Sequence, residues 1–244
     1  MELLKKGRIV VYDIETTDFK ADFGHMLMWA AKDIDSDYVY YDRIDDNEDY
    51  GETPESMMDD SHIVRSLIDF LTGADIQVGH YASGFDLKFM NTRAIKHDIP
   101  PLQPIPMIDT WRVLKDNLAL RSNSLKNGAE FFGGPQKGGL SKSQWALAIH
   151  GHKTTLNDML DYNIDDVLAT ENVYLKTRPL IKNHPFAGAF SAGLADEAWS
   201  YVCPACASTT VQRRGVRRTR CFAIRRLQCQ SCGLWFDGRR SKIG

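Results

Sequence analysis

The chain has 244 residues, 43% of them hydrophobic and 25% charged, with a net charge of −2. This is enough for one sizeable core plus a small appendage, and the composition is that of a soluble globular protein. No run of about 18 or more apolar residues occurs, which excludes a transmembrane helix and gives no reason to expect a membrane partner.

The opening "MELLKKGR" lacks the long apolar segment of a signal peptide, so a cytoplasmic location is expected and disulfides are not. The small net charge hides an asymmetry. Residues 201–244 carry ten Lys plus Arg against one acid, Asp237, a balance of +9; residues 1–200 carry 20 basic and 31 acidic residues, a balance of −11. All five cysteines also lie beyond residue 200. Two modules with different jobs are implied.

In chain order, "RIVVYDIET" (8–16) reads as a buried first strand. "MLMWAAKDI" (26–34) and "YVYYDRI" (38–44) read as two more, forming a meander. An acidic excursion follows over 45–60. "SHIVRSLIDFL" (61–71) has apolar residues at helical spacing, with Ser61 expected as its N-cap. Next come a strand at 75–82, a helix at 83–95 and a strand at 105–111 that runs into another helix. A helix is expected at 124–132, ended by Gly133–Gly134, then a glycine- and lysine-bearing loop at 135–142 and a long helix over 155–181. Three strands followed by alternating helix and strand predict an α/β domain, a mixed sheet with helices on its faces.

Asp13 and Glu15 stand two apart in the first strand and so share a face. Packed carboxylates repel, and burying one costs several kcal/mol without compensation. Exposed acids on a solvated strand are the bland alternative, but the apolar run before them argues against it. Asp86 falls in the first turn of a helix, three residues after Ser83, which also suits a capping acid. On the long helix, Leu160, Ile164, Val167 and Leu168 form the apolar stripe. Asp161 and Asp165 lie to one side of it, Tyr162 and Asp166 to the other; periodicity alone does not choose between them.

Together "DIETTDF" (13–19), "FDLKF" (85–89) and "YNIDD" (162–166) resemble the three motifs of the DEDD 3′–5′ exonucleases. These belong to the ribonuclease H-like superfamily and include the proofreading domain of family B DNA polymerases; the chain resembles in particular the stand-alone, YprB-like members. The resemblance implies a ribonuclease H-like mixed sheet flanked by helices. It matches Asp13 and Glu15 to the first acidic pair, Asp86 to the second-motif aspartate, and Asp166 to the last. Tyr162 matches the tyrosine of the DEDDy branch; the histidine branch would have His where Asp161 stands. Asp109 matches a recurrent site-shaping aspartate. Two departures concern substrate contacts: His80 replaces a frequent Asn, and Asp18 a frequent Gly.

Four carboxylates are hard oxygen ligands suited to Mg²⁺ or Mn²⁺. The resemblance implies two such ions, roughly 3.5–4 Å apart, about the scissile phosphate. Tyr162, with an ordinary pKa near 10, is a poor base at neutral pH and is expected to position the attacking water.

Other chemistries fit less well. "GGPQKGGLSK" lacks the ending of a phosphate-binding Walker loop, and Ser141 has no His/Asp partnership. His150 and His152 read as surface-loop histidines rather than a metal pair. Lys137 and Lys142 are either phosphate contacts or solvated loop lysines.

"CPAC" (203–206) and "CQSC" (229–232) are two C-x-x-C pairs separated by 22 residues. Cys203, Cys206, Cys229 and Cys232 are expected to hold one structural Zn²⁺ in a closed Cys₄ site, and the segment resembles a zinc ribbon. Ala207 occupies the place of a usual knuckle Gly. Cys221 reads as a small buried hydrophobe. Between the knuckles, Arg213, Arg214, Arg217, Arg218, Arg220, Arg225 and Arg226 suggest a basic hairpin that tracks a phosphate backbone; a merely solvated hairpin, or one docked on the acidic body, is the alternative. Trp235 and Phe236 are expected to pack the ribbon core rather than stack on a base.

The expected organisation is an exonuclease domain at 1–181, a linker or bridging segment at 182–200, and a zinc ribbon at 201–244. The expected activity is metal-dependent trimming of nucleic acid from a 3′ end, DNA before RNA, with the ribbon capturing single strands or 3′ ends. A replication or repair protein is a second class of partner. A structure-specific endonuclease, an RNA exonuclease and a non-catalytic adaptor are the rival readings.

Overall fold

The computed structural model describes residues 7–34, 36–134, 139–181, 184–185 and 201–243. Two compact units result: Ile9–Tyr174, and Leu175–Gly244 together with Met1–Arg8. The first unit thus ends seven residues before the 181 boundary read from the sequence. Most of the expected linker, and Lys137, lie outside the described residues.

The first unit is built on a five-stranded mixed sheet of order β3-β2-β1-β4-β5. Its strands are β1 (Ile9–Thr16), β2 (Met26–Asp33), β3 (Tyr40–Arg43), β4 (Ile76–Gly79) and β5 (Met107–Asp109). β2 pairs antiparallel with β1 and β3, while β4 lies parallel to both β1 and β5. The β-branched, apolar start of β1 therefore takes the central place, where both faces are covered.

Helices α1 (Ser61–Leu71), α2 (Asp86–Lys96), α3 (Thr110–Asn117), α4 (Leu125–Phe131), α5 (Lys142–Ile149) and α6 (Lys153–Thr177) pack around this sheet. α1 buries Ile63, Val64, Leu67, Ile68 and Leu71, the stripe its spacing predicts. Ser61 is the first helical residue rather than the cap, and its N–H is taken by the Asp59 carboxylate at 2.9 Å. The segment expected to be loop up to 142 gives way there to α5. Its start is closed by a capping box in which Ser141 and Gln144 exchange hydrogen bonds. The acidic excursion holds two short 3-10 turns, Ile44–Asp46 and Ser56–Met58.

α6 lies over the Asp13–Glu15 face of β1. Asn163 donates to Asp13 at 2.7 Å, and Lys32 of β2 pairs with Glu171 at 2.6 Å, both side chains nearly buried. The opposite face, with Ile14 and Trp29, meets α1, where the Trp29 indole donates to Ser66 at 3.0 Å.

The second unit contains a three-stranded antiparallel sheet, β6 (Val211–Arg218), β7 (Phe222–Cys229) and β8 (Trp235–Lys242), in that order. Two cysteine knuckles sit at one end of it. Among the described residues no helix is long and apolar enough to cross a membrane.

Candidate active site

The site forms where β1, β4 and β5 end, the usual place for a ligand in an open α/β sheet. β4 pairs only with Ile9–Val11, so among the described residues the later half of β1 has no strand beside it on that side. The Ile14 N–H instead reaches the Asp86 carboxylate at 3.3 Å. This bond brings the first residue of α2 to the backbone between Asp13 and Glu15. The capping alternative for Asp86 is not what forms: Ser83 bonds to Asp109, and α2 begins without a side-chain cap.

Asp13, Glu15 and Asp166 each offer a carboxylate oxygen within 4.8 Å of the others. Oxygens sharing one Mg²⁺ at about 2.1 Å stand about 3.0–4.2 Å apart, so small rotations would gather this trio around a single ion. Glu15, Asp86 and Asp166 are buried, at 6%, 4% and 7% exposure. The like charges are felt: Asp86 is pushed up to about 7 by burial first, with Asp109 and Asp166 adding to it and hydrogen bonds from its own backbone and Ile14 opposing it. A cluster of buried acids in this condition needs a counter-charge, and hard divalent cations match its all-oxygen donor set.

Of the two acid-bearing faces of α6, the one with Tyr162 and Asp166 turns into the site, while Asp161 is exposed. The Tyr162 hydroxyl donates to Asp166, and its pKa is raised by burial first, then by Asp166, Glu15 and Asp13. Tyr162 therefore keeps its proton. Trp145 of α5 meets its ring edge-on at 6.5 Å between centroids, so the unanticipated helix braces it.

Asp109 caps α3, accepting from Trp111 N at 3.1 Å, and also accepts from Tyr81 N at 3.0 Å and Ser83 N at 3.3 Å. Tyr81 stands at φ 64, a conformation costly for a bulky side chain. Asp109 thus holds the loop that delivers Asp86. His80 Nδ1 meets Thr110 Oγ1 at 2.9 Å, beside this anchor. Lys142 is exposed at the start of α5, and His150 and His152 are exposed, as expected.

Three site elements went unread in the sequence. Asn163 orients Asp13; its spacing of three from Asp166 on the same helix was the available signal. The buried Asp60–Arg93 pair, 2.7 Å apart, is another. Arg93 of α2 also donates to the carbonyls of Ala21 at 3.2 Å and Gly24 at 2.9 Å, so it clamps the loop after β1. That loop presents Phe19 and Phe23, at 85% and 86% exposure. The third is a cleft of about 360 Å³ lined by Phe19, Lys20, Phe85, Lys88 and Phe89. Phe85 immediately precedes Asp86, so the cleft lies alongside the acids' loop.

In the second unit, Cys203, Cys206, Cys229 and Cys232 place their sulfurs within 4.8 Å of one another. The separations Cys203–Cys232 and Cys206–Cys229 are 3.5 and 3.6 Å. A tetrahedral site with Zn–S bonds of about 2.3 Å needs sulfurs about 3.8 Å apart, so the set fits zinc. Each knuckle turns through a positive φ, Gly233 at 78 and Ala207 at 55; the alanine accepts the conformation that glycine takes without strain. Cys221 is exposed, not buried: it lies in the turn before β7, outside the cysteine cluster. Trp235 is also a correction. It starts an outer strand at 41% exposure, and only Phe236 packs against the core formed by the cysteines, Ala205 and Leu234.

Comparison with known proteins gives three findings. No curated protein matches the chain. A family B DNA polymerase from the hyperthermophilic archaeon Pyrobaculum calidifontis has a similar fold, with a TM-score of 0.57 at 15% identity. The similarity covers 89% of this chain but only 32% of the polymerase, so the chain spans about a third of that protein's length. The model of the RNase H superfamily matches residues 10–177, which span all but the first residue of the sheet and every acid of the candidate site, and by that match the chain belongs to the RNase H superfamily.

Proposed function

We propose that this protein is a metal-dependent 3′–5′ exonuclease of the DEDDy type, acting on DNA in preference to RNA. The observation that carries the reading is the convergence of Asp13, Glu15 and Asp166 within 4.8 Å, with Asp86 bonded to the strand between the first two. Superfamily membership and the polymerase-like fold support a nuclease.

Asp13, Glu15, Asp86 and Asp166 would hold divalent ions, Mg²⁺ or Mn²⁺. Bound there, the ions supply Lewis acidity and a water acidified toward neutral pH. The chain's own groups do the rest. Asn163 fixes the rotamer of Asp13 through its 2.7 Å bond. Tyr162 keeps its proton and so offers a hydroxyl that orients the attacking water, without serving as the base. The aromatic cleft beside Phe85, edged by Lys20 and Lys88, has the surfaces to stack a terminal base and neutralise its phosphates. His80 and Asp109 shape the adjoining loop. Zinc on the four cysteines would fold the C-terminal unit, and that unit's arginines, with Lys142 and Lys137, would aid capture of the strand.

The test is cleavage of end-labelled single-stranded DNA and RNA in Mg²⁺, Mn²⁺ and EDTA, with Asp13→Ala, Glu15→Ala, Asp86→Ala and Asp166→Ala as controls. Progressive shortening from the 3′ end, lost in EDTA and in each folded variant, is expected. Internal cuts would favour an endonuclease. Binding without any cleavage would refute the enzymatic reading and favour an adaptor.

A further inference from the structure

The arginines between the knuckles do not form one surface. In the regular strand β7, Phe222, Ile224, Arg226 and Gln228 point to one side, and Ala223, Arg225, Leu227 and Cys229 to the other. The second side is the inner one: Leu227 and Cys229 are 0% and 1% exposed. There Arg213 and Arg225 both donate to the Tyr201 hydroxyl, at 3.0 and 2.5 Å. These two arginines are engaged within their own unit.

The outer side differs. Register places Arg217 opposite Ile224, Arg240 opposite Ile224 from the other neighbour, and Trp235 opposite Gln228. Arg214 donates to Gln228 at 2.9 Å, which puts it on this side too. The guanidinium groups of Arg214 and Arg226 stand 6.0 and 5.6 Å from the Trp235 ring, and Arg240 stands 5.2 Å from that of Phe222. Arg214, Arg217, Arg226, Arg240 and Lys242 thus share one sheet face with two aromatic rings, against a single carboxylate, Asp237.

We infer that this outer face, centred on Trp235, is a binding platform for single-stranded nucleic acid, with bases stacking on Trp235 and phosphates meeting Arg214, Arg240 and Lys242. The occupant follows from complementarity. Only a polyanion matches so many cations, and only unpaired bases offer planar faces to an exposed indole beside guanidinium groups. Duplex would present its phosphates but not its base faces. The inference rests on the nuclease reading for its substrate class, and it removes Arg213 and Arg225 from the contact surface.

The test is fluorescence anisotropy with the full chain in Ca²⁺, using labelled oligothymidylate and an abasic strand with the same number of phosphates. Trp235→Ala should weaken oligothymidylate binding about 5- to 150-fold, with Trp235→Phe restoring most of it and abasic binding little changed by either. Arg214→Ala with Arg240→Ala should lower the slope of log affinity against log salt by about 1.4. Equal losses on both strands, or none on either, would overturn the platform; tight binding of a protein partner at an unaltered nucleic-acid affinity would overturn it as well. The two readings fail separately. A strand that binds through Trp235 but is never cut in Mg²⁺ or Mn²⁺ sinks the nuclease alone. A strand that is cut, with affinity indifferent to Trp235, sinks the platform alone.

Discussion

Replacing Arg93 by Met should destabilise the protein more than any surface change and loosen the aromatic cleft beside Phe85 at the same time. Arg93 and Asp60 are 1% and 0% exposed, and their contacts run from Nε to Oδ2 at 2.9 Å and from the terminal nitrogen to Oδ1 at 2.7 Å. Asp60 further accepts from Met26 N at 2.7 Å and meets His97 Nε2 at 2.6 Å, so its charge is built into the start of β2 and cannot swing to water. Methionine fills similar volume but leaves that carboxylate without its guanidinium partner. Breaking a buried pair this way costs about 3–5 kcal/mol. For a chain of this size each kcal/mol is about 2–4 °C in Tm, so a fall of roughly 6–20 °C is expected. Ala21 and Gly24 lose their anchor as well, and with them the placement of Phe19 and Phe23. KM for a single strand should therefore rise even at temperatures where the variant is folded. The assays are thermal denaturation followed by circular dichroism, and steady-state cleavage below the new Tm. Asp60→Leu combined with Arg93→Met should recover much of the stability, because no buried charge is then stranded, but not the cleft. A loss below about 1 kcal/mol in the single variant would refute the argument that Asp60 depends on this partner.

Asp86 gives a pH signature in EDTA. Its carboxyl is held up to about 7, above the ordinary 3.8, chiefly by burial, so the folded state favours the protonated form. That contribution is fully present below the unfolded value and is lost as pH rises through about 7; Asp86→Asn should keep its Tm across that window while the wild type declines, and parallel curves would contradict the assignment. Tyr162→Phe should slow cleavage by about 10²–10⁴-fold with strand affinity nearly intact, and Asp165→Asn should matter far less; single-turnover kinetics would show the ranking, and its reversal would mean that the other face of α6 serves the site. Asn163→Leu should weaken Mn²⁺ binding about 10- to 100-fold by releasing Asp13, as read by calorimetry. Cys229→Ser should lower the zinc content and unfold the C-terminal sheet, measured by metal analysis and limited proteolysis; full zinc retention would exclude the four-cysteine site.

The sequence by itself determined the central strand, the face shared by Asp13 and Glu15, and the two cysteine knuckles. Each of these rests on a short-range rule: alternation along a strand, or two ligands on one tight turn. It also determined that α1 and α6 are helices, because their apolar residues recur at helical spacing. Only the tertiary structure decided which face of α6 enters the site. Tyr162–Asp166 and Asp161–Asp165 flank the same apolar stripe, and the choice is made by Asn163 and Glu171 bonding to β1 and β2, far away in the chain. The role of Asp86 was undecided for the same reason. Its partner is the Ile14 N–H, 72 residues earlier, exposed to it only because β4 stops short of the end of β1. Seven arginines looked like one basic hairpin, yet strand alternation and a bulge at Gly215 divide the six that lie in strands between two faces, and the register that does so comes from pairing with β7. Local patterns report what one segment prefers; pairing energies between distant segments decide which side of it meets the chemistry.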